Sequence, residues 1–243
     1  MNQDKIRLDQ ALALQNLVTS RSQAKSFIKL GKVTVDGKIV MKSGYFVQPS
    51  AKLVVMVDEQ YVGRAGMKLA SVAKLLGLDF KEKIVLDVGS STGGFTDYAL
   101  KNGARKVYAV DVGTDQLHPS LHGNERIELH EKTDIRDFSM PDSMPDIVVM
   151  DVSFISLREI LPHIASNLSD NNTQIVAMLK PQFEAGRHQV NKGVIKNDSV
   201  RRQILKDFEA WTKQYFVIQD KRDSDVAGAK GNQERFYLLK VSK

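Results

Sequence analysis

Apolar positions along this chain change their rhythm twice. Leu8, Ala11, Leu12 and Gln15 recur at three-to-four spacing and predict a short helix. A second helix is predicted after the capping candidates Thr19 and Ser20, with Ala24, Phe27 and Ile28 facing inward and Gly31 as its stop. The rhythm then switches to alternation in Val33-Thr-Val-Asp-Gly-Lys-Ile-Val40, where Asp-Gly between alternating apolar residues predicts a hairpin. Leu69, Val72, Ala73 and Leu76 form a helical stripe over 66–76. Beyond it, strands and helices alternate: strand 84–88, helix from 95, strands 106–111 and 146–151, helix 155–168, strand 174–179. A helix starting at Asn197 or Asp198 carries Val200, Ile204, Phe208 and Trp211 on one face, and two final strands near 215–221 and 234–241 suggest an antiparallel edge. Alternation of this kind predicts an α/β domain with a mostly parallel sheet behind a small separate head.

The first of those strands runs into Asp87-Val-Gly-Ser-Ser-Thr-Gly-Gly-Phe95, a glycine-rich turn that opens a helix. Glycines at 89, 93 and 94 permit backbone conformations closed to other residues and let a ligand approach the main chain. Asp111 ends the next strand, 22 residues after Gly89, where doubly wound sheets place an acid for ribose hydroxyls. A phosphate-gripping Walker loop is excluded, because Phe95 and Thr96 follow the last glycine instead of Lys and Ser or Thr. The dinucleotide pattern fails at Ser91. Gly89-Ser-Ser-Thr-Gly93 does match a hydrolase nucleophile elbow, which would need a later acid and histidine; after residue 130 only His163 and His188 remain.

Composition narrows the choice. The 243 residues suffice for one catalytic domain and an appendage, and the absence of cysteine excludes disulfides, thiolate metal sites, cysteine nucleophiles and base methylation through a cysteine adduct. No metal ligand set stands out. The apolar runs are too short to span a bilayer and the N-terminus lacks a hydrophobic segment, so a cytoplasmic protein is expected, with no membrane partner. The net charge of +6 is concentrated in the head: residues 1–60 hold nine Lys or Arg against five Asp or Glu. Arg21, Lys25 and Lys29 line up on one face of the second helix and Lys32 follows, a stripe that can track a phosphate backbone or simply be a solvated face.

Arg7-Leu-Asp-x-x-Leu, followed by Ser20-Arg-Ser-x-Ala-x-x-x-Ile-x-x-Gly-x-Val-x-Val-Asp-Gly37, resembles the small alpha-L RNA-binding domain named after a ribosomal small-subunit protein, over roughly Lys5 to Val57. The resemblance implies RNA contact through Arg7, Arg21, Lys25, Lys29 and Lys32. The expected division is a head over 1–60 and a catalytic domain over 61–243, with 61–66 as connector.

Ligands of open α/β sheets bind at the carboxyl ends of the strands, which puts weight on Asp87, Gly89, Asp111, Asp151 and Lys180. Lys180, directly after Ile175-Val-Ala-Met-Leu179, reads either as a desolvated base or as a snorkelling lysine. Loop 183–197 is polar and long enough to be a lid.

Residues 61–243 resemble the FtsJ-like methyltransferases, and the two-part chain resembles the TlyA family of ribosomal RNA 2'-O-methyltransferases, some of whose members are labelled hemolysins. The carrying motifs are Arg64-Ala-Gly-Met-Lys-Leu69, the turn at 87–96, Asp151-Val-Ser-Phe-Ile-Ser-Leu157, Lys180-Pro-Gln-Phe-Glu184 and Gly231-Asn-Gln-Glu234. The resemblance implies a Rossmann-like, doubly wound S-adenosylmethionine-dependent methyltransferase fold with a small α+β head. It also implies the cofactor at Asp87, Gly89, Ser91, Gly93, Gly94 and Phe95, with Asp111 near its ribose and Asp134 near its adenine. A Lys-Asp-Lys-Glu tetrad maps onto Lys68, Asp151, Lys180 and Glu234, and the implied substrate is a ribose 2'-hydroxyl, of a cytidine, in ribosomal RNA or a ribosomal subunit. Ala65 departs from the family, which often has a second glycine there, and puts the connector's flexibility in doubt. A silent RNA-binding assembly factor and a membrane-active hemolysin stand as alternatives.

Overall fold

The computed structural model describes residues 5–15, 17–18, 21–29, 31–56, 61–186, 189–228 and 231–242. The expected caps Thr19 and Ser20, and Arg187 and His188 of the expected lid, lie outside the described residues. The chain divides into two compact units, Met1–Gln60 and Tyr61–Lys243.

In the first unit, β1 (Ile6–Arg7) leads into α1 (Leu8–Leu14), and α2 (Arg21–Lys29) follows. A hairpin of β2 (Val33–Val35) and β3 (Lys38–Ile39) comes next, then β4 (Phe46–Val47) and β5 (Leu53–Val55). Asp36 and Gly37 both take positive φ, 51° and 81°, the geometry a two-residue hairpin turn demands. The inward residues Ala24, Phe27 and Ile28 are buried with Leu8, Leu12, Val33 and Val47 in one small core. The pairings β1 with β4 and β2 with β5 were not expected, because strands of two or three residues carry too little alternation to read.

The second unit opens with α3 (Arg64–Ala73) and then alternates β6 (Ile84–Val88), α4 (Gly94–Lys101), β7 (Lys106–Val110), β8 (Ile127–His130), β9 (Ile147–Met150), α5 (Leu157–Asn167) and β10 (Gln174–Leu179). A short α6 (Pro181–Glu184), α7 (Asp198–Thr212), β11 (Phe216–Asp223) and β12 (Arg235–Val241) complete it. The seven strands run in the order β11-β12-β10-β9-β6-β7-β8, with β6 to β10 parallel and β12 antiparallel to both its neighbours. Strands buried on both faces read as continuous apolar runs, and β6, β9 and nearly all of β10 are buried throughout. One core packs α5 and α7 against one face of the sheet and the other packs α3 and α4 against the opposite face, so the sheet is doubly wound.

Where a connector over 61–66 was expected, Tyr61 is buried, the Val62 amide donates to Asp97 Oδ2 at 2.9 Å, and residues 64–66 form the first turn of α3. A Cβ on Gly66 would lie 2.5 Å from Tyr61 Cβ and 2.7 Å from the Gly94 carbonyl oxygen, so this segment is locked against α4.

Candidate active site

Strand order reverses at β6: the chain steps outward through β7 and β8, then returns to lay β9 on the other side of β6. Loops diverge at such a point and leave a crevice beyond the carboxyl ends of the strands. A cavity of about 410 Å³ lies there. Gly89, Ser91, Asp111, Asp134 and Asp151 line it, together with apolar Val112, Ile135, Ile155 and Ile160. Its wall thus holds three carboxylates and no lysine, arginine or histidine among the described lining residues. Arg136 and Lys180 pair with two of these carboxylates, and the mixed polar and apolar wall suits a ligand that combines hydroxyls with a flat apolar ring.

The turn beneath the cavity is held by its own acids. Asp111 accepts the Ser91 amide at 2.8 Å on one oxygen and the Gly113 amide at 2.7 Å on the other. Gly89 sits at φ +79°, and a Cβ there would come within 3.1 Å of the Asp151 carbonyl oxygen, so glycine is required by both conformation and close approach. Asp87 is buried. The Thr96 hydroxyl donates to its Oδ2 at 2.6 Å, while its Oδ1 has no hydrogen-bond donor among the described residues. Burial, with a smaller push from the Asp151 charge, raises the Asp87 carboxyl to about 7 against the pull of the Thr96 hydroxyl.

Beside the cavity stand two nearly buried ion pairs. Lys180 follows β10, and its Nζ meets Asp151 Oδ1 at 2.6 Å and donates to Ser153 Oγ at 2.7 Å. Lys68, on the second turn of α3, meets Glu234 Oε2 at 2.5 Å. Glu234 immediately precedes β12, which runs antiparallel beside β10 with Arg235 opposite Leu179, so both pairs lie at the same end of the sheet. Removing one partner of such a pair strands a buried charge, at a cost of about 3–5 kcal/mol.

The family model for FtsJ-like methyltransferases matches residues 61–241, and that for the S4 domain matches residues 6–53. The chain belongs to the FtsJ-like methyltransferase family. It is similar to "23S rRNA (cytidine-2'-O)-methyltransferase TlyA" of Campylobacter jejuni, 42% identical over 75% of this chain and 72% of that protein. It is also similar to "Hemolysin A" of Brachyspira hyodysenteriae, 39% identical over 94% of this chain and 97% of that one. A solved structure from Streptococcus thermophilus, named as a candidate hemolysin, superposes with a TM-score of 0.77 at 35% identity, covering 98% of this chain and 89% of the other. Among the described residues of this methyltransferase, no helix is long and apolar enough to cross a membrane.

Several residues expected at the cofactor do other work in the methyltransferase. Asp87, Gly93, Gly94 and Phe95 do not line the cavity. A Cβ on Gly93 would strike Leu121 at 2.5 Å, one on Gly94 would strike Ala65 and the Gly66 amide at 2.8 Å, and Phe95 is core, its ring 6.1 Å from that of Phe236. These three are needed for packing. Asp134 does line the cavity, but both its oxygens are turned onto Arg136, the closer contact at 2.6 Å, and the guanidinium holds its carboxyl down to about 2. The elbow reading of Ser91 fails: its hydroxyl donates to Gln116 at 3.0 Å, and each of the four described histidines has a partner elsewhere.

The motif residues Glu184 and Asn232 are clamps. Glu184 accepts from the Ser156 hydroxyl at 2.6 Å and the Leu157 amide at 2.7 Å, anchoring α6 to the start of α5. Asn232 accepts the Ile195 amide at 3.0 Å and donates to the Gly193 carbonyl at 2.8 Å, tying part of the expected lid to the Glu234 segment. Phe154 was missed as a site residue. The residue is 91% exposed at the cavity's rim, its backbone holds φ +66°, and its ring leans on that of Phe183 with centroids 5.2 Å apart. The only sequence signal was its place in the Asp151-Val-Ser-Phe motif, since nothing local announces a left-handed phenylalanine.

In the first unit, the basic stripe is not a row of independent charges. Arg7, Arg21 and Lys25 converge on the fully buried Asp9, at 3.0, 3.2 and 4.0 Å. Burial pushes the Asp9 carboxyl up, but hydrogen bonds from the two guanidiniums outweigh it and hold it below its ordinary range. Lys29 is exposed and Lys32 half-buried, and neither has an ion pair among the described residues.

Proposed function

We propose that this chain transfers a methyl group from S-adenosylmethionine to a ribose 2'-hydroxyl of ribosomal RNA, on a cytidine as in the Campylobacter protein's name. The observation that carries the reading is the Lys180–Asp151 pair at the mouth of an anionic cavity, with Lys68–Glu234 at the same strand ends. S-adenosylmethionine, when bound, supplies a methyl on a positively charged sulfur, a group that needs little activation. The cavity fits it: Asp111, the lining carboxylate without a cationic partner among the described residues, faces a ligand of net charge +1 and keeps lone pairs for ribose hydroxyls, and Ile135, Ile155 and Ile160 offer apolar walls for a ring.

The protein's remaining task is to place a poor acid in line and relieve it of its proton. The Asp151 carboxylate, the Ser153 hydroxyl and, at 3.5 Å, the Asp151 carbonyl fix Lys180 Nζ at the cavity's edge, where it can meet the 2'-oxygen. Nζ orients that oxygen while charged and accepts its proton when neutral. Lys68, neutralised by Glu234, braces the same edge. The S4 unit anchors RNA, with Arg7, Arg21 and Lys25 oriented by Asp9 and Lys29 and Lys32 available to phosphates.

Incubating the protein with methyl-labelled cofactor and ribosomal subunits, then mapping 2'-O-methyl positions, tests the reading directly. Label in a ribose of ribosomal RNA is expected; tight RNA binding with no transfer would leave an assembly factor instead.

Phe154 and Phe183 give the mouth an aromatic face on which a base can stack while its ribose reaches Lys180, an interaction of about 1–3 kcal/mol. Replacing Phe154 by glycine should separate stability from activity. The left-handed backbone strain, about 1–3 kcal/mol, is relieved, so thermal stability should hold or rise. Methyl transfer under subsaturating RNA should nevertheless fall by about tenfold or more. Unchanged transfer would remove Phe154 from the RNA site.

A further inference from the structure

A second cavity, of about 480 Å³, opens where α7 crosses β11 and β12. Five cations line it: Arg201, Arg202 and Lys206 from α7, Lys221 from β11 and Arg235 from β12. Among the described residues two carboxylates answer them, and both are saturated. Asp223 takes Arg235 at 2.6 Å and Arg201 at 2.7 Å, while Glu209 takes Lys221 at 2.7 Å and the Tyr237 hydroxyl at 3.0 Å. Arg202 and Lys206, exposed and one helical turn apart, have no carboxylate partner among the described residues; Arg202 reaches only the Ser199 hydroxyl, at 3.3 Å. Asp207, the remaining acid on this stretch of α7, accepts from Gln203 at 2.7 Å. Residues 61–243 carry a net charge of only +2, so this concentration is local.

Its position ties it to the site. Arg201 Nε donates to the Gln233 carbonyl at 3.2 Å, and Glu234 and Arg235 follow in the chain. Successive side chains of an extended segment point to opposite faces of a sheet, so Glu234 turns to Lys68 on α3 and Arg235 turns to the cleft under α7. The Cα of Arg235 lies opposite that of Leu179, the neighbour of Lys180, at the spacing of paired strands, about 5 Å. The cleft therefore begins where the catalytic edge ends.

We propose that this cleft is a second phosphate-backbone contact for the substrate RNA, carried by the methyltransferase unit itself; it rests on the RNA-methylating function proposed above. Preorganised guanidiniums held by saturated acids, with Arg202 and Lys206 left over, are what a strand running away from the Lys180 edge would meet.

The test uses the full chain and the double variant Arg202→Gln/Lys206→Gln, which leaves the Asp223 and Glu209 networks whole. Binding to purified ribosomal RNA is measured across a salt series, and methyl transfer to naked RNA and to intact subunits is measured in parallel. The log–log salt slope should become shallower by about 1.5, at roughly 0.7–0.9 per lost phosphate contact. KM for RNA should rise about tenfold with a smaller effect on kcat, while cofactor affinity and Tm stay put. A normal slope and KM, with active wild type, would overturn the cleft alone. No transfer by wild type would overturn the RNA-methylating reading and the cleft with it. A defect on subunits but not on naked RNA would assign the cleft to a ribosomal protein surface and overturn the phosphate contact.

Discussion

Lys180→Ala is expected to lower methyl transfer to ribosomal RNA by about a hundredfold or more, the usual scale for a lost general base. Cofactor binding should not be lost, because Lys180 does not line the cavity and its removal leaves the lining carboxylate of Asp151 in place. The substitution also leaves Asp151 without its ammonium, so the Tm of the variant must be measured beside its rate; a folded variant with a lost rate is the expected pair of results. Lys180→Arg refines the test. A guanidinium can keep the contacts to Asp151 Oδ1 and Ser153 Oγ, so it preserves charge and much of the geometry, but it cannot give up its proton at any accessible pH. Turnover nearly as poor as that of the alanine variant is expected. Near-normal turnover with arginine would defeat the general-base role and reduce Lys180 to a positive charge that orients the ribose oxygen.

The parts of this site that a sequence displays are those set by local backbone. The apolar runs of β6, β9 and β10 end at Asp87, Asp151 and Lys180, and strand ends are where an α/β sheet exposes its chemistry, so these residues could be picked out from pattern alone. The turn was equally legible, but its division of labour was not. Gly89 is constrained by the Asp151 carbonyl, whereas Gly93 and Gly94 serve Leu121 and α3, a difference that depends on what packs against each glycine. Pairings across long separations were invisible too. Glu234 meets Lys68 only because β12 returns antiparallel beside β10, and the head's cations meet Asp9 only because α2 folds back on α1. Strand β8 escaped notice because Ile-Glu-Leu-His at a half-exposed sheet edge lacks the apolar density of the central strands. The resemblance to a family supplied the tetrad that periodicity could not, and the structure supplied its partners.

Asp87→Asn is expected to have the other large effect, and to act in opposite directions on the free protein and on its complex. The folded carboxyl sits near 7, above the ordinary 3.8, so the native state binds the extra proton between those values. Stability therefore falls as pH rises from about 4 through 7, and above 7 the penalty is complete, on the order of 4 kcal/mol for a shift of this size. Asparagine carries no charge to desolvate. The variant should lose this pH dependence and be more stable than the parent protein at pH 8, as followed by thermal unfolding without cofactor. Binding should go the other way. A cofactor of net positive charge in the adjoining cavity favours the ionised carboxylate through space, so affinity in the parent protein should rise as pH passes upward through 7. Calorimetry with S-adenosylmethionine should show that rise disappear in Asp87→Asn, with affinity at pH 8 reduced by about tenfold or more, since one unit of lost carboxylate stabilisation corresponds to about 1.4 kcal/mol. A variant that binds as tightly as the parent at pH 8 and keeps the same pH profile would show that Asp87 only packs the turn against Thr96, and that the positive charge of the cofactor is met by Asp111 and Asp151 alone.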